Sequence, residues 1–171
     1  EQEVATIPLA LAVKRNDQVK INCLIRKGGA NPNQQMLDSK GNATTLLLWA
    51  YQQGQSKAVD SLLANSADFQ AKDSEGNTLL HYAAAKGDAD MILRLIDPAK
   101  TTLDVSIIAA KNQAGNDALA LLMKSNLSAE KKSELIPLLF THLSEPTRLS
   151  GEYFMQLDQT GNNFLHHAAS K

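Results

Sequence analysis

Residues 73–96, "DSEGNTLLHYAAAKGDADMILRLI", contain a turn and two short helical segments in close succession. Asp73 and Gly76 are typical of a tight turn, because an Asp side chain accepts hydrogen bonds from nearby backbone N–H groups and glycine allows a positive φ. Thr78 then suits the N-cap of a helix that ends at Gly87. Since a helix shorter than about 12–15 residues is marginal in water on its own, this stretch predicts neighbours that complete it.

The same pattern recurs along the chain, which has 171 residues. The shared anchor is Asp or Asn, two variable residues, Gly and Asn, followed by a helical segment with leucine and small residues. Its copies are 38–54 (DSKGNATTLLLWAYQQG), 73–87 (DSEGNTLLHYAAAKG), 112–122 (NQAGNDALALL) and 158–169 (DQTGNNFLHHAA), and an earlier copy at 7–33 keeps the helices without the glycine turn. Such self-similarity predicts repeated units, each of which buries its apolar face against the next.

These motifs resemble the ankyrin repeat, whose unit of about 33 residues combines a β-turn with two helices around a Thr-Pro-Leu-His-x-Ala core. Residues 73–96 match nearly throughout, with Leu79 in place of the proline, and "GGANPN" at 28–33 is similar to the family's Gly-Ala-Asp-x-Asn ending. The resemblance implies an all-α fold, an ankyrin-repeat solenoid of stacked helix-turn-helix units with β-turn fingers. It covers the whole chain as one array, with repeats at about 1–35, 36–70, 71–109, 110–155 and a partial repeat at 156–171.

Some local features carry predictions of their own. Pro8 suits the first position of a helix. Pro137 lies inside "AEKKSELIPLLFTHL", which predicts a kink or a helix that begins near Ser133. Apolar residues in the long connection after Ile96 predict a short extra turn at 105–109. Cys23 stands in an apolar helical segment, which predicts a buried thiol.

Composition limits the classes of function. The formal net charge of −1 gives no global field that would favour nucleic acid or an anionic membrane. No apolar run approaches the roughly 18 residues of a membrane-spanning helix. The single cysteine excludes an internal disulfide and is typical of a reducing compartment, which predicts a cytoplasmic location. The chain begins with Glu1 rather than Met, which predicts a piece of a longer protein.

The sequence carries no signature of catalysis. A phosphate-binding loop, a Gly-x-Ser-x-Gly motif and paired cysteines for zinc are all absent from it. His166 aligns with His81, and the resemblance implies a structural role for that position. The adjacent His167 would point about 100° away on a helix, which disfavours a metal site. We therefore predict no enzyme activity, no cofactor, no metal and no small-molecule substrate.

The resemblance instead implies a module that binds another protein through its finger turns and the concave face formed by the first helices. Carried over residue by residue, the predicted partner-binding positions are Lys14, Arg15, Lys40, Trp49, Gln52, Gln53, Glu75, Asn77, Tyr82, Lys86 and Lys124. Trp49 and Tyr82 occupy equivalent positions, and two interpretations stay open for them. Either ring packs on a neighbouring repeat, or it is an exposed anchor for a partner.

The positions at the ends of the first helices include several basic residues and no acidic one. The basic residues are Lys14, Arg15, Lys86, Lys124 and Lys171. One interpretation is that helix C-termini favour cations through the helix dipole. The other is a strip of positive potential that steers an acidic protein face towards it. Nucleic acid is a weaker candidate for the partner, because the strip lacks a dense basic patch interleaved with aromatic residues.

The parent protein leaves two alternatives open. The chain could belong to an adaptor built of repeats. It could instead be the recruiting or regulatory part of a larger enzyme whose catalytic domain lies outside residues 1–171. Its irregular repeats, rich in Asn, Gln and Lys, are similar in style to ankyrin-repeat effectors that intracellular bacteria deliver into a host cytoplasm.

Overall fold

The computed structural model describes residues 3–96 and 106–141, and the architecture of that part is almost entirely helical. The helices are α1 (Glu3–Lys14), α2 (Gln18–Arg26), α3 (Leu46–Gln52), α4 (Ser56–Ala64), α5 (Leu79–Lys86), α6 (Ala89–Ile96), α7 (Ser106–Ala109), α8 (Ala118–Lys124) and α9 (Ala129–Thr141). The strands β1 (Gln35–Leu37) and β2 (Ala43–Thr45) form one antiparallel hairpin. The predicted all-α class of paired short helices is confirmed.

A first compact unit ends at Leu79 and a second begins at Leu80. In the first unit α1 packs on α2 and α3 packs on α4, so each repeat is a helical hairpin. Across the two repeats α1 contacts α3 and α2 contacts α4. The helices meet through side chains that are almost completely buried, such as Leu9, Leu47 and Leu62. Two neighbouring repeats therefore share one core, as the incomplete helices of a single repeat require.

The second unit is held by its own apolar contacts. Helix α9 packs against both α6 and α8, and the short helix α7 packs against α8. Ile107 and Ile108 of α7 are buried, which anchors this four-residue helix to the core. The predicted extra turn in the long connection is confirmed for its residues 106–109.

The three described copies of the anchor form the same turn. The Asp38 carboxylate accepts hydrogen bonds from the N–H groups of Lys40 (2.7 Å) and Asn42 (2.8 Å), and Asp73 does the same for the residues two and four positions on. Asn112 accepts from the N–H of Asn116 at 3.0 Å. The glycines have positive φ values: Gly41 82°, Gly76 78° and Gly115 76°. The predicted turn chemistry is confirmed there, while the copy at 158–162 lies outside the described residues.

The residue before α3 and the residue before α8 each cap the N-terminus of the helix. Thr45 Oγ1 accepts a hydrogen bond from the N–H of Leu48 at 3.2 Å, and Asp117 Oδ1 accepts one from Ala120 at 2.8 Å. Both bonds satisfy N–H groups that the first turn of a helix leaves without a partner. The cap predicted for Thr78 is thus seen at its equivalents in the neighbouring copies.

Polar side chains of the first repeat form hydrogen bonds with the second repeat. We call this set of bonds the polar ladder; its members in the first repeat are Asn16, Asn22, Arg26 and Asn33. Asn16 Oδ1 accepts from the N–H of Ala58 at 2.8 Å, and Asn33 Oδ1 accepts from that of Asp68 at 2.6 Å. Between them, Asn65 donates to Asn22 and accepts from Arg26 Nε. These bonds join residues 35 to 43 positions apart, so they couple neighbouring repeats.

Two local predictions are wrong, those for Pro8 and Cys23, and one of the two alternatives for Pro137 is excluded. Helix α1 begins at Glu3, so Pro8 lies inside it rather than at its first position. Helix α9 begins at Ala129 rather than near Ser133, and Glu130 in its first turn suits the helix dipole. Pro137 lies inside this helix, and the alternative of a kink there stays a prediction. Cys23 is exposed, since the buried face of α2 is centred on Ile21 and a residue two positions on points away from it.

Candidate functional site

In the first unit four of the predicted positions lie at the ends of α1 and α3. Lys14 and Arg15 are exposed at the end of α1, Gln53 is exposed after α3, and Gln52 is half-buried. The Gln55 side chain donates a hydrogen bond to the Lys14 carbonyl at 3.0 Å, which ties the end of α1 to the next repeat. Because α1 also packs on α3, this basic helix end is held on a rigid base.

In the second unit Lys86 is the last residue of α5 and Lys124 the last residue of α8, and both are exposed. Lys124 Nζ donates to the Asn116 side chain at 2.7 Å, so its ammonium group lies beside the base of the finger. Both lysines stand where the helix dipole favours a cation. Ser125, which follows Lys124, is buried and donates to the Leu122 carbonyl.

The predicted positions at the finger tips are exposed. Lys40 and Glu75 are exposed, as are the tip residues Ser39, Ser74, Gln113 and Ala114. The turn beneath each tip is closed mainly by the first and last residues of the anchor. Glu75 adds a side-chain contact, because its carboxylate accepts a hydrogen bond from Asn77 Nδ2 at 3.3 Å. The tips are therefore fixed in backbone and variable in chemistry, which suits recognition of a partner.

Asn77 was predicted to contact a partner, and the structure instead places its side chain inside the turn. Its side chain is 8% exposed and donates to the carboxylates of Asp73 and Glu75. Asn42 likewise donates to Asp38. The sequence held a signal for this structural role, since an Asn ends every copy of the anchor.

The two aromatic candidates have intermediate solvent exposure. Trp49 and Tyr82 are both half-buried, so each ring packs in part and faces solvent in part. Tyr51, by contrast, is 6% exposed and belongs to the core. The role of Trp49 and Tyr82 as anchors for a partner stays a prediction.

The turn at Asp38 should be sensitive to acid. The N–H of Asn42 donates to its carboxylate and holds the pKa of that carboxyl below its usual value, aided by the N–H of Lys40. A lowered pKa in the folded state stabilises the turn above the pKa of the unfolded chain, and that contribution is lost as pH falls through the folded value. We expect the amide resonances of Lys40 and Asn42 to follow this titration in an NMR series below pH 5 (a range set by the ordinary Asp value of about 3.9).

Asp38→Asn is the control, because Asn112 shows that an amide oxygen can accept the same bond. The variant should keep the turn and lose its pH dependence. An unchanged titration of the two amides in Asp38→Asn would contradict the assignment.

Other chemistry is sparse in the described part of the chain. His81 is buried, in agreement with the structural role implied for it, whereas His142, His166 and His167 lie outside the described residues. Residues 3–96 and 106–141 contain no group of three His, Cys, Asp or Glu side chains placed to hold a metal ion. None of their helices is long and apolar enough to cross a membrane.

Sequence reasoning missed the β-hairpin. Ala43 and Thr44 are extra residues of the second copy, and they form most of β2. Leu37 of β1 is 66% exposed, an unusual value for a large apolar side chain. Residues 34–45 do not alternate between polar and apolar, so the sequence carried no clear signal for the strands.

Comparison with known proteins places these features in a family. The family model for ankyrin repeats in three copies matches residues 9–107 and, in an overlapping match, residues 47–133. A palmitoyltransferase AKR1 from Lachancea kluyveri is 43% identical over 56 residues, which are 33% of this chain and 8% of that protein. A palmitoyltransferase AKR1 from Saccharomyces cerevisiae is 35% identical over 89 residues, 52% of this chain and 11% of that protein. The chain thus spans about a tenth of the length of these relatives.

Proposed function

Because this chain belongs to the ankyrin-repeat family, we propose that it binds a partner protein through its finger tips and the helix ends beside them, without catalysing a reaction. The observation that carries the proposal is the set of exposed tip side chains on turns that are closed by other residues. A backbone that is already fixed lowers the entropic cost of binding, because only the side chains then lose conformational freedom.

Site-specific crosslinking tests this proposal. A photo-reactive amino acid placed at Lys40 or at Glu75 should capture the partner from a lysate of the source cells. The same group at Lys57, exposed on α4, is the matched control and should capture much less. Capture from Lys57 alone would show that the partner binds the outer helices and would overturn the proposal.

An acidic face is the partner chemistry we propose. The exposed helix ends carry Lys14 and Arg15 in the first unit and Lys86 and Lys124 in the second. In a nearly neutral chain, such local charge raises the association rate more than the affinity. We do not expect nucleic acid, a membrane or a small molecule to be the ligand.

The double variant Lys86→Glu/Lys124→Glu should slow association with the captured partner about ten-fold at low salt. The effect should shrink as the salt concentration approaches 1 M, where the Debye length falls to about 3 Å. Stopped-flow association rates measure both changes. Lys57→Glu/Lys131→Glu alters the net charge equally at exposed positions elsewhere, and it should change the rate less. Equal rates for the two double variants would mean that Lys86 and Lys124 only compensate helix dipoles.

A second candidate function is that of a recruiting domain within a larger enzyme. The similarity to proteins named palmitoyltransferase, of which this chain matches only a short part, favours it. The sequence of the full-length gene distinguishes the two, since catalytic signatures outside these residues would support the enzyme and further repeats alone would support an adaptor. The cytoplasmic location and the bacterial-effector style stay predictions.

A further inference from the structure

The outer edge of β1 has unused backbone hydrogen-bonding groups. Met36 pairs with Thr44, and the flanking bonds run from Asp38 N–H to the Asn42 carbonyl (2.9 Å) and from Leu46 N–H to the Gln34 carbonyl (3.1 Å). In an antiparallel pair the residues between such bonded pairs turn their N–H and C=O groups to the other side. The outward residues of β1 are therefore Gln35 and Leu37.

Neither of these two residues is covered. Gln35 is exposed, and Leu37 is 66% exposed. Within the described part of the chain, no backbone hydrogen bond reaches their outward groups. Open strand edges of this kind pair readily with another extended chain.

The opposite edge of the same hairpin shows that pairing between fingers occurs. The Ala43 carbonyl of β2 accepts a hydrogen bond at 3.0 Å from the N–H of Ser74 in the next finger. The fingers at 38–42 and 73–77 thus form a short row of hydrogen-bonded backbone. The β1 edge is the open end of that row and is continuous with the exposed finger tips.

We propose that the β1 edge binds an extended segment of the partner protein, which adds a third strand beside Gln35 and Leu37. This inference rests on the proposed function and specifies how that partner is held. Leu37 and its cross-strand neighbour Ala43 are exposed together on one face of the hairpin, so the segment carries an apolar residue opposite Leu37. Lys40 stands exposed at the tip beyond β1, so an acidic residue at that end of the segment is complementary in charge.

A partner segment suits this edge better than a second copy of the chain. The strand has three residues, of which two face outward. Two such strands paired with each other would bury far less than the 1,200–2,000 Å² or so of a stable interface. A segment whose protein is also held at other finger tips needs only a small contribution from this edge, because linked contacts act as one binding event.

The test uses NMR of the ¹⁵N-labelled full chain with a synthetic peptide, Glu-Val-Glu-Val-Glu-Val-Glu, as the probe. Titration should shift the amides of Gln35 and Leu37 and saturate. A fully N-methylated form of the peptide has no N–H to donate, and its methyl groups prevent the close approach that a strand pair needs, so it should leave both amides unshifted. Equal shifts with the two peptides would overturn the inference.

Two variants at one position separate backbone pairing from side-chain contact. Gln35→Pro removes an outward N–H without touching the hydrogen bonds inside the hairpin, and prolines are tolerated on edge strands. It should weaken peptide binding about five-fold, the loss of one hydrogen bond. Gln35→Ala keeps the N–H and should bind as the wild type does. Equal affinities of the two variants would overturn the pairing.

The remaining outcomes distinguish this inference from the function on which it rests. Shifts confined to Lys14 and Arg15 would overturn the β1 edge and support acidic-partner binding at the helix ends. Shifts at Gln35 and Leu37 that persist in Lys86→Glu/Lys124→Glu would support the edge independently of those lysines. Shifts that arise without peptide as the protein concentration is raised would identify a second copy as the occupant and overturn the inference.

Discussion

Gly87→Val should lower the free energy of unfolding by about 2–6 kcal/mol, from strain and overpacking together. Gly87 has a φ of 68°, in the left-handed region that a β-branched side chain adopts only with strain. A Cβ at this position would also overlap the side chain of Leu127, which packs directly over the glycine. Urea unfolding followed by circular dichroism measures the loss.

Gly54 provides the matched control, because it ends α3 as Gly87 ends α5. Its φ of 72° is nearly the same, yet nothing lies within 4 Å of a Cβ built there. Gly54→Val should therefore show the backbone strain alone, about 1–3 kcal/mol. The difference between the two variants measures the overlap with Leu127.

A double-mutant cycle isolates that overlap further. Gly87→Ala should be less harmful in the background of Leu127→Ala than in the wild type, since the smaller side chain leaves room for the new methyl group. Additive effects of the two substitutions, or equal losses in Gly54→Val and Gly87→Val, would show that Leu127 does not restrict position 87.

Asn16→Ala should cost about 2–3 kcal/mol by removing the first bond of the polar ladder. Asn16 has a φ of 53°, and its side chain accepts the N–H of Ala58 in the next repeat. The variant loses a helix cap, about 1 kcal/mol, and places an ordinary side chain in the left-handed region, another 1–2 kcal/mol or so. Asn16→Gly adopts the same positive φ without strain, so it should show the loss of the cap alone.

Hydrogen exchange of the Ala58 amide gives the local measurement. Protection of this amide should fall in both Asn16 variants, because its acceptor is gone in each. Since repeats are stabilised by their neighbours, the weakened contact should also lower the protection of α4 as a whole. Unchanged protection of Ala58 in Asn16→Gly would contradict the assigned hydrogen bond.

The features that the sequence predicted best are local ones. The Asp38 and Asp73 turns, with Gly41 and Gly76 at positive φ, follow from the preferences of residues within five positions of one another. The contact of Leu127 with Gly87 joins residues 40 positions apart and depends on how the chain returns after α8. The exposure of Cys23 and the edge of β1 depend on which side of an element is covered, and periodicity in three to nine residues does not determine that.

The sequence also predicted some residues of the candidate site correctly and one of them wrongly. Lys14, Lys40, Glu75, Lys86 and Lys124 are exposed where the repeat pattern placed them. Asn77 resembled its exposed neighbours in polarity, yet its amide is used within the turn. Polarity alone does not separate a side chain that contacts solvent from one that closes a turn, because both classes are rich in Asn and Asp.

The closed turns have a consequence for how this protein can evolve. Each finger is held mainly by its first residue, its glycine and its final Asn, and the tip residues 40 and 75 contribute backbone N–H groups that any residue except proline supplies. A mutation at a tip therefore leaves these bonds in place, although at Glu75 it also removes one of the acceptors of the Asn77 amide. The tips already differ in charge, with lysine at 40, glutamate at 75 and alanine at 114. Selection can therefore retune the partner one finger at a time while the scaffold stays constant, and a library randomised only at these tips should yield new specificities among variants that nearly all fold.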